Sequence, residues 1–469
     1  MALIREAFIL VHNLPLTDPV SVLVPTGMLG AGFPADTISR GITLGVDVIA
    51  VDGGSTDSGP YYLGASKPKT TRAAVLRDLR EILTGAARAD IAVIVGSCGT
   101  SGTDNGVEWL YDITRQVIEE EELTGRRVAR IYSEQGKDLI KQRLHDGQIH
   151  PLAPAAEITE ETVDGCAHIV GLMGHEPIAE ALDGGANIVL AGRATDCAVI
   201  AAVPLMRGKP FGPTWHASKI AECGSLCTTG NGIGGVVVHI GEEGFVVEPV
   251  DTDLMCTPQT VAAHMLYENT DPHRLREPAG TLDTSRAEYS ALDDRRVFVQ
   301  GSQFEFQSPT VKLEGSGVVG AQTLSIVGLR DPDLLARIDE WIDSLEKYLH
   351  SRIPEVLGLA EEEYDIQMRP YGWNAVLGKS DPSGDPPREV GLVFCATAQD
   401  QETATAVAKL ANPRLLHHPL PGADSLPSWS FMSSPAELER GALYSFMLNH
   451  VVEVSSPTEL FPIKYTEEL

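Results

Sequence analysis

Residues 46–64, VDVIAVDGGSTDSGPYYLG, decide the fold. The run 46–51 is apolar and rich in Val and Ile, the residues that fit a pleated, buried strand. At Asp52 the composition switches to Gly, Ser, Thr and Asp, and an amphipathic helical pattern follows at 71–83. A near-continuous apolar strand, a polar glycine-rich loop and an amphipathic helix make one βα unit of a parallel sheet.

The same order recurs on either side. Apolar strands are predicted at 20–24, 91–95, 128–131, 168–172 and 187–190, with helices at 36–44, 106–121, 134–144 and 176–182. The expected fold is α/β, a parallel sheet with flanking helices, doubly wound, with a closed barrel as the alternative. Right-handed crossovers put all strand carboxyl ends on one edge, where such sheets bind ligands. Beyond about residue 240 the pattern changes to a hairpin at 235–249, short strands at 297–300 and 310–313, one long helix at 331–349, a turn-rich loop at 380–388, a strand at 389–396 and a helix at 403–410. The division expected is an α/β domain, 1–285, carrying the glycine-rich site loops, followed by an α+β C-terminal domain, 286–469.

The chain has 469 residues, enough for two or three domains. Its 36 Lys and Arg against 65 Asp and Glu leave a net charge of −29. Such a surface repels phosphate backbones and anionic lipid, and no basic run offsets it, so neither nucleic acid nor a membrane is expected as partner. No apolar stretch approaches the ~18 residues of a membrane span, and the first residues carry no secretory pattern. Seven cysteines without framework spacing fit reduced thiols in a cytoplasm.

Four further loops follow predicted strands. Residues 96–104, GSCGTSGTD, offer Gly96, Ser97, Gly99, Thr100, Ser101 and Asp104. Glycines expose backbone N–H groups, and a helix start adds its dipole, so this loop can hold a carboxylate; the other reading is a tight connection capped by Thr103 or Asp104. Asp52 and Asp57 can act as acid and base, hold a hard cation, or close Asx turns. His175, at a strand end, is a candidate general base. Arg193 and Asp196 in GRATD can grip a substrate carboxylate or pair with each other. His216, Lys219, Glu222 and Cys223 share one helical face, of which Glu222 is taken as a substrate contact. Cys223 and Cys227 do not have zinc-knuckle spacing, and no Gly-x-Ser-x-Gly, His-Glu-x-x-His, Gly-x-Gly-x-x-Gly or P-loop motif occurs. No cofactor is named by any of these motifs; a divalent metal ion on Asp52, Asp57 and Asp104 is the alternative.

The stretches 52–64, 96–104, 187–196 (NIVLAGRATD), 221–230 (AECGSLCTTG), 310–320 (TVKLEGSGVVG), 327–332 (VGLRDP) and 431–437 (FMSSPAE) together resemble the acyclic terpene utilisation, AtuA-type, family over nearly the whole chain. At 221–230 the sequence departs from the family's Glu-Cys-Gly, Gln and double Gly, with Cys227, Thr228 and Thr229 intervening. The resemblance implies a cytoplasmic catabolic role: the family's founding member belongs to a pathway degrading branched terpenoid acids as coenzyme A thioesters, its relatives look like catabolic enzymes of small carboxylic acids, and no catalytic residue is carried over. The expected function is proton transfer on a small hydroxy- or unsaturated carboxylic acid or its thioester, a hydratase, dehydratase or isomerase. Asp52, Asp57 or His175 would move the proton, while the 96–104 amides and Arg193 hold the carboxylate. Metal-assisted hydrolysis and a non-catalytic subunit needing a small partner chain are the rivals. A homo-oligomer is expected.

Overall fold

The computed structural model describes residues 14–230, 233–267, 269–378, 386–423 and 429–466. Residues 1–13 and most of the turn-rich loop expected at 380–388 lie outside the described residues. Two compact units divide the chain, one made of 1–317 and 446–469, the other of 318–445. All the predicted site loops belong to the first.

The first unit is built on a ten-stranded mixed sheet. Val20–Val24, Val48–Asp52, Ala92–Gly96, Ile188–Ala191 and Val128–Ile131 lie side by side in that order, all parallel. Val236–Ile240, Phe245–Pro249, Val297–Gln300 and Glu288–Ala291 extend it antiparallel on one side, and Ile463–Tyr465 on the other. Successive residues of the central strands enter two separate cores. Val48, Ala50 and Ile94 pack with helices Asp196–Met206 and Phe211–Ala221, while Ile49, Val51, Val93 and Val95 pack with Arg72–Ala89 and Asp104–Glu120. This alternation is why these strands read as unbroken apolar runs.

The α/β class holds, with two corrections. The sheet is open, so the barrel does not form, and it is mixed rather than wholly parallel. His168–Leu172 is absent from it and pairs antiparallel with residues 312–316 of the strand Thr310–Leu329. An apolar run specifies burial but not its neighbour, and here the neighbour is residues 312–316, paired over five positions.

In the second unit, Tyr364–Tyr371 and residues 321–329 flank Val390–Ala398, all antiparallel. Helices Ile338–Leu357 and Gln401–His417 cover them, Trp341, Leu345, Leu349 and Val407 packing with Phe394 of the central strand in one core. No described helix is long and apolar enough to cross a membrane.

Candidate functional site

Three neighbouring parallel strands deliver the site. Asp52 ends the first, Ser97 follows the second, and Arg193 stands two residues past the third. Their carboxyl ends lie together because the strands are parallel and adjacent.

Arg193 is buried and held on several sides. Its Nε donates to Glu314 Oε2 (2.9 Å), its Nη1 to Ser97 Oγ and to the Ala194 carbonyl (3.1 Å each), and its Nη2 to Thr56 Oγ1 (3.4 Å). Four of the five guanidinium donors are thus engaged within the protein, leaving one for a ligand. Glu314 also accepts from Lys312 Nζ (2.8 Å). Burial opposes its charge, but Arg193 and Lys312 outweigh burial and hold the carboxyl at about 2. The stretch 312–314 places two charges in an otherwise apolar strand, the signal by which Glu314 could have been found.

The 96–104 loop is buried and serves as packing. Ser97 N donates to the Gly192 carbonyl and Cys98 N to the Ala191 carbonyl. Gly102 has φ +67°, and a Cβ there would stand 2.1 Å from Arg193 N. The glycine admits the Arg193 backbone rather than a ligand. Gly96, Ser97, Gly99, Thr100 and Ser101 do not line the cleft described next. Thr103 caps the following helix through Gly106 N (3.2 Å), while Asp104 N donates to Glu134 Oε2 (3.0 Å) and Glu134 N to Asp104 Oδ1 (3.2 Å).

A cleft of about 410 Å³ opens beside Arg193, lined among others by Asp57, Asp196, Cys197, Lys219, Glu222 and Glu277, with the exposed Arg276. Thr195 caps the helix that begins at Asp196. Lys219 sits in the last turn of Phe211–Ala221 and pairs with Glu222, whose Oε2 lies 3.1 Å from Cys197 Sγ. Asp57 shares its carboxylate with Ser55 Oγ (2.7 Å).

Crowding of acids sets the electrostatics. Burial and then the Glu222 charge push Asp196 up to about 7, against Arg193 and Lys219. The same two causes push Glu277 to about 8. Asp52 sits behind the cleft, its Oδ2 accepting from Gly54 N (2.7 Å); burial and Asp196 raise it well above the carboxylate range. Burial works against the Lys219 ammonium, yet Glu222 keeps its pKa above the ordinary value. Burial and Glu222 raise the Cys197 thiol, which stays protonated.

The structure therefore brings Asp57, Arg193, Asp196 and Glu222 to one cleft and puts Asp52 behind it. His175 is elsewhere. It is packed edge-on to Phe211 (5.7 Å) and Trp215 (6.0 Å), and burial lowers its pKa. His216 is likewise buried, bonded to Ser302 Oγ (2.7 Å). Glu277 is the residue sequence reasoning missed most completely: its stretch, DPHRLRE at 271–277, has no motif, and only pairing into a small sheet brings it to the cleft. Among the described residues, Asp52, Asp57 and Asp104 do not converge as metal ligands; the group that does is Glu222, Cys223 and His264.

An open mixed α/β sheet with a polar, carboxyl-crowded cleft at the carboxyl ends of its parallel strands defines the class. The chain belongs to the acyclic terpene utilisation family: the model described as acyclic terpene utilisation family protein AtuA matches residues 46–449. Comparison with curated proteins and with solved structures found no match.

Proposed function

We propose that this protein is a catabolic enzyme that moves protons on a small hydroxy- or unsaturated carboxylic acid or its coenzyme A thioester, as a hydratase, dehydratase or isomerase. One observation carries the reading: Asp196 and Glu277, held at about 7 and about 8, line the same cleft. General acid–base groups work best with pKa values near the operating pH, and ordinary surface carboxyls are far from it. At neutral pH Asp196 is partly ionised and takes the proton next to the carbonyl. Glu277, still protonated, gives one to the departing or accepting atom. Lys219, the last Arg193 donor and Arg276 supply positive charge for the acid or thioester. Asp57, on the cleft wall, is a further carboxylate within the same space. The family's name fits a branched acyclic acid as the substrate class.

The test is solvent-proton exchange. Enoyl and 3-hydroxyacyl coenzyme A thioesters, straight and branched, and their free acids are incubated with the protein in D₂O and read by NMR. Deuterium should enter beside the carbonyl. Asp196→Asn and Glu277→Gln should each slow this by roughly 10²–10⁴-fold. Thioester loss without deuterium would point to hydrolysis instead, and no exchange on any of these compounds would refute the reading.

A further inference from the structure

One convergence of side chains supplies neither the acid nor the base of that proton transfer, though its Glu222 lines the same cleft. Glu222 caps the helix Phe211–Ala221, Cys223 follows it, and His264 ends the helix Pro258–His264. A carboxylate oxygen, the Cys223 Sγ and an imidazole nitrogen of these three lie within 4.8 Å of one another. His264 is 5% exposed, and its Nε2 is buried without a hydrogen-bond partner. An imidazole nitrogen left bare inside a protein loses the solvation it had in water, so it calls for a partner.

We infer that Glu222, Cys223 and His264 bind a thiophilic divalent ion of the Zn²⁺ class. The donor set is the argument. Thiolate, imidazole and carboxylate together suit Zn²⁺ and its neighbours, whereas Mg²⁺ and Ca²⁺ take oxygen ligands. In a tetrahedral site with bonds of about 2.0–2.3 Å, ligand atoms stand roughly 3.3–3.6 Å apart, so shifts of about 1 Å close this triad. Three protein ligands leave one position open, the pattern of sites where the ion meets a ligand rather than only holding the fold. Of the three, Glu222 also lines the cleft. Lys219 already puts a positive charge on Glu222. The ion replaces that ammonium, one cation for another, and the Cys223 proton leaves as the S–metal bond forms. The site does not depend on the proposed reaction.

Chelator-treated wild-type protein is titrated with Co²⁺ and then with Zn²⁺. One equivalent of Co²⁺ should give a cysteinate-to-cobalt charge-transfer band in the near ultraviolet, which Zn²⁺ bleaches. Cys223→Ser should remove the band, and His264→Ala should weaken Zn²⁺ binding by more than about 100-fold. Cys395→Ser, in the other unit, should change neither. Absence of the band in wild type, or its survival in a folded Cys223→Ser protein, overturns the site. The wild-type titration decides even if a variant fails to fold, and none of these readings involves turnover, so failure here is distinct from failure of the proton-transfer reading.

Discussion

Arg193 is a charge whose partners determine what it can do. A guanidinium just past a strand in a glycine-rich loop looks free to grip a substrate. Its burial against Glu314, Ser97 and Thr56 makes it chiefly the anchor that ties three loops together. Breaking one side of a buried ion pair leaves the other charge stranded, which costs far more than an exposed pair is worth. Glu314→Gln should therefore destabilise the protein by about 3–5 kcal/mol in urea unfolding. A loss below about 1 kcal/mol would mean Arg193 is neutralised by something else. The acid–base candidates follow the same logic of surroundings. Asp57 and Asp196 look alike in sequence, each in a Thr-Asp step in a glycine-bearing loop, and burial with the Glu222 charge is what sets Asp196 to about 7.

Among the elements, legibility depended on periodicity. The five parallel strands and the helices between them are readable because each has one buried character and clear polar punctuation. The helix Asp196–Met206 is apolar all round, so its pattern lacks a face, and it marks itself only by burial on both sides. The strand Glu437–Glu453 mixes Glu, Arg, Ser and Asn with its apolar residues, so its sequence shows no clean strand pattern. The function of the 96–104 loop was ambiguous for a related reason: glycines that admit a ligand and glycines that admit a neighbouring backbone look the same. Here they admit backbone. Gly102→Ala should force a Cβ into Arg193 N and an unfavourable φ at once, lowering thermal stability and shifting the Arg193 segment. A crystal structure of the variant with Arg193 unmoved and an unchanged Tm would contradict this packing role.

At the scale of the molecule, the chain keeps several carboxyls out of their ordinary range in a protein that already carries −29. Asp52, Asp196 and Glu277 bind protons more tightly folded than unfolded. The contribution of Asp196 and Glu277 to stability is full below about 4, the unfolded carboxyl range, and is lost as pH rises through about 7 and about 8. Replacing Asp196 and Glu277 by their amides should flatten that fall. The double variant gains on wild type in urea unfolding at about pH 9 relative to about pH 6. Equal slopes in the two proteins would deny the coupling.

The most direct test reads the protons themselves. Infrared difference spectra of wild type against Asp196→Asn and against Glu277→Gln isolate the protonated-carboxyl carbonyl band of each residue. Bands that titrate near 7 for Asp196 and near 8 for Glu277 are what the account predicts. If neither residue shows a protonated band above about pH 5, both are ordinary carboxylates and the cleft is not an acid–base site.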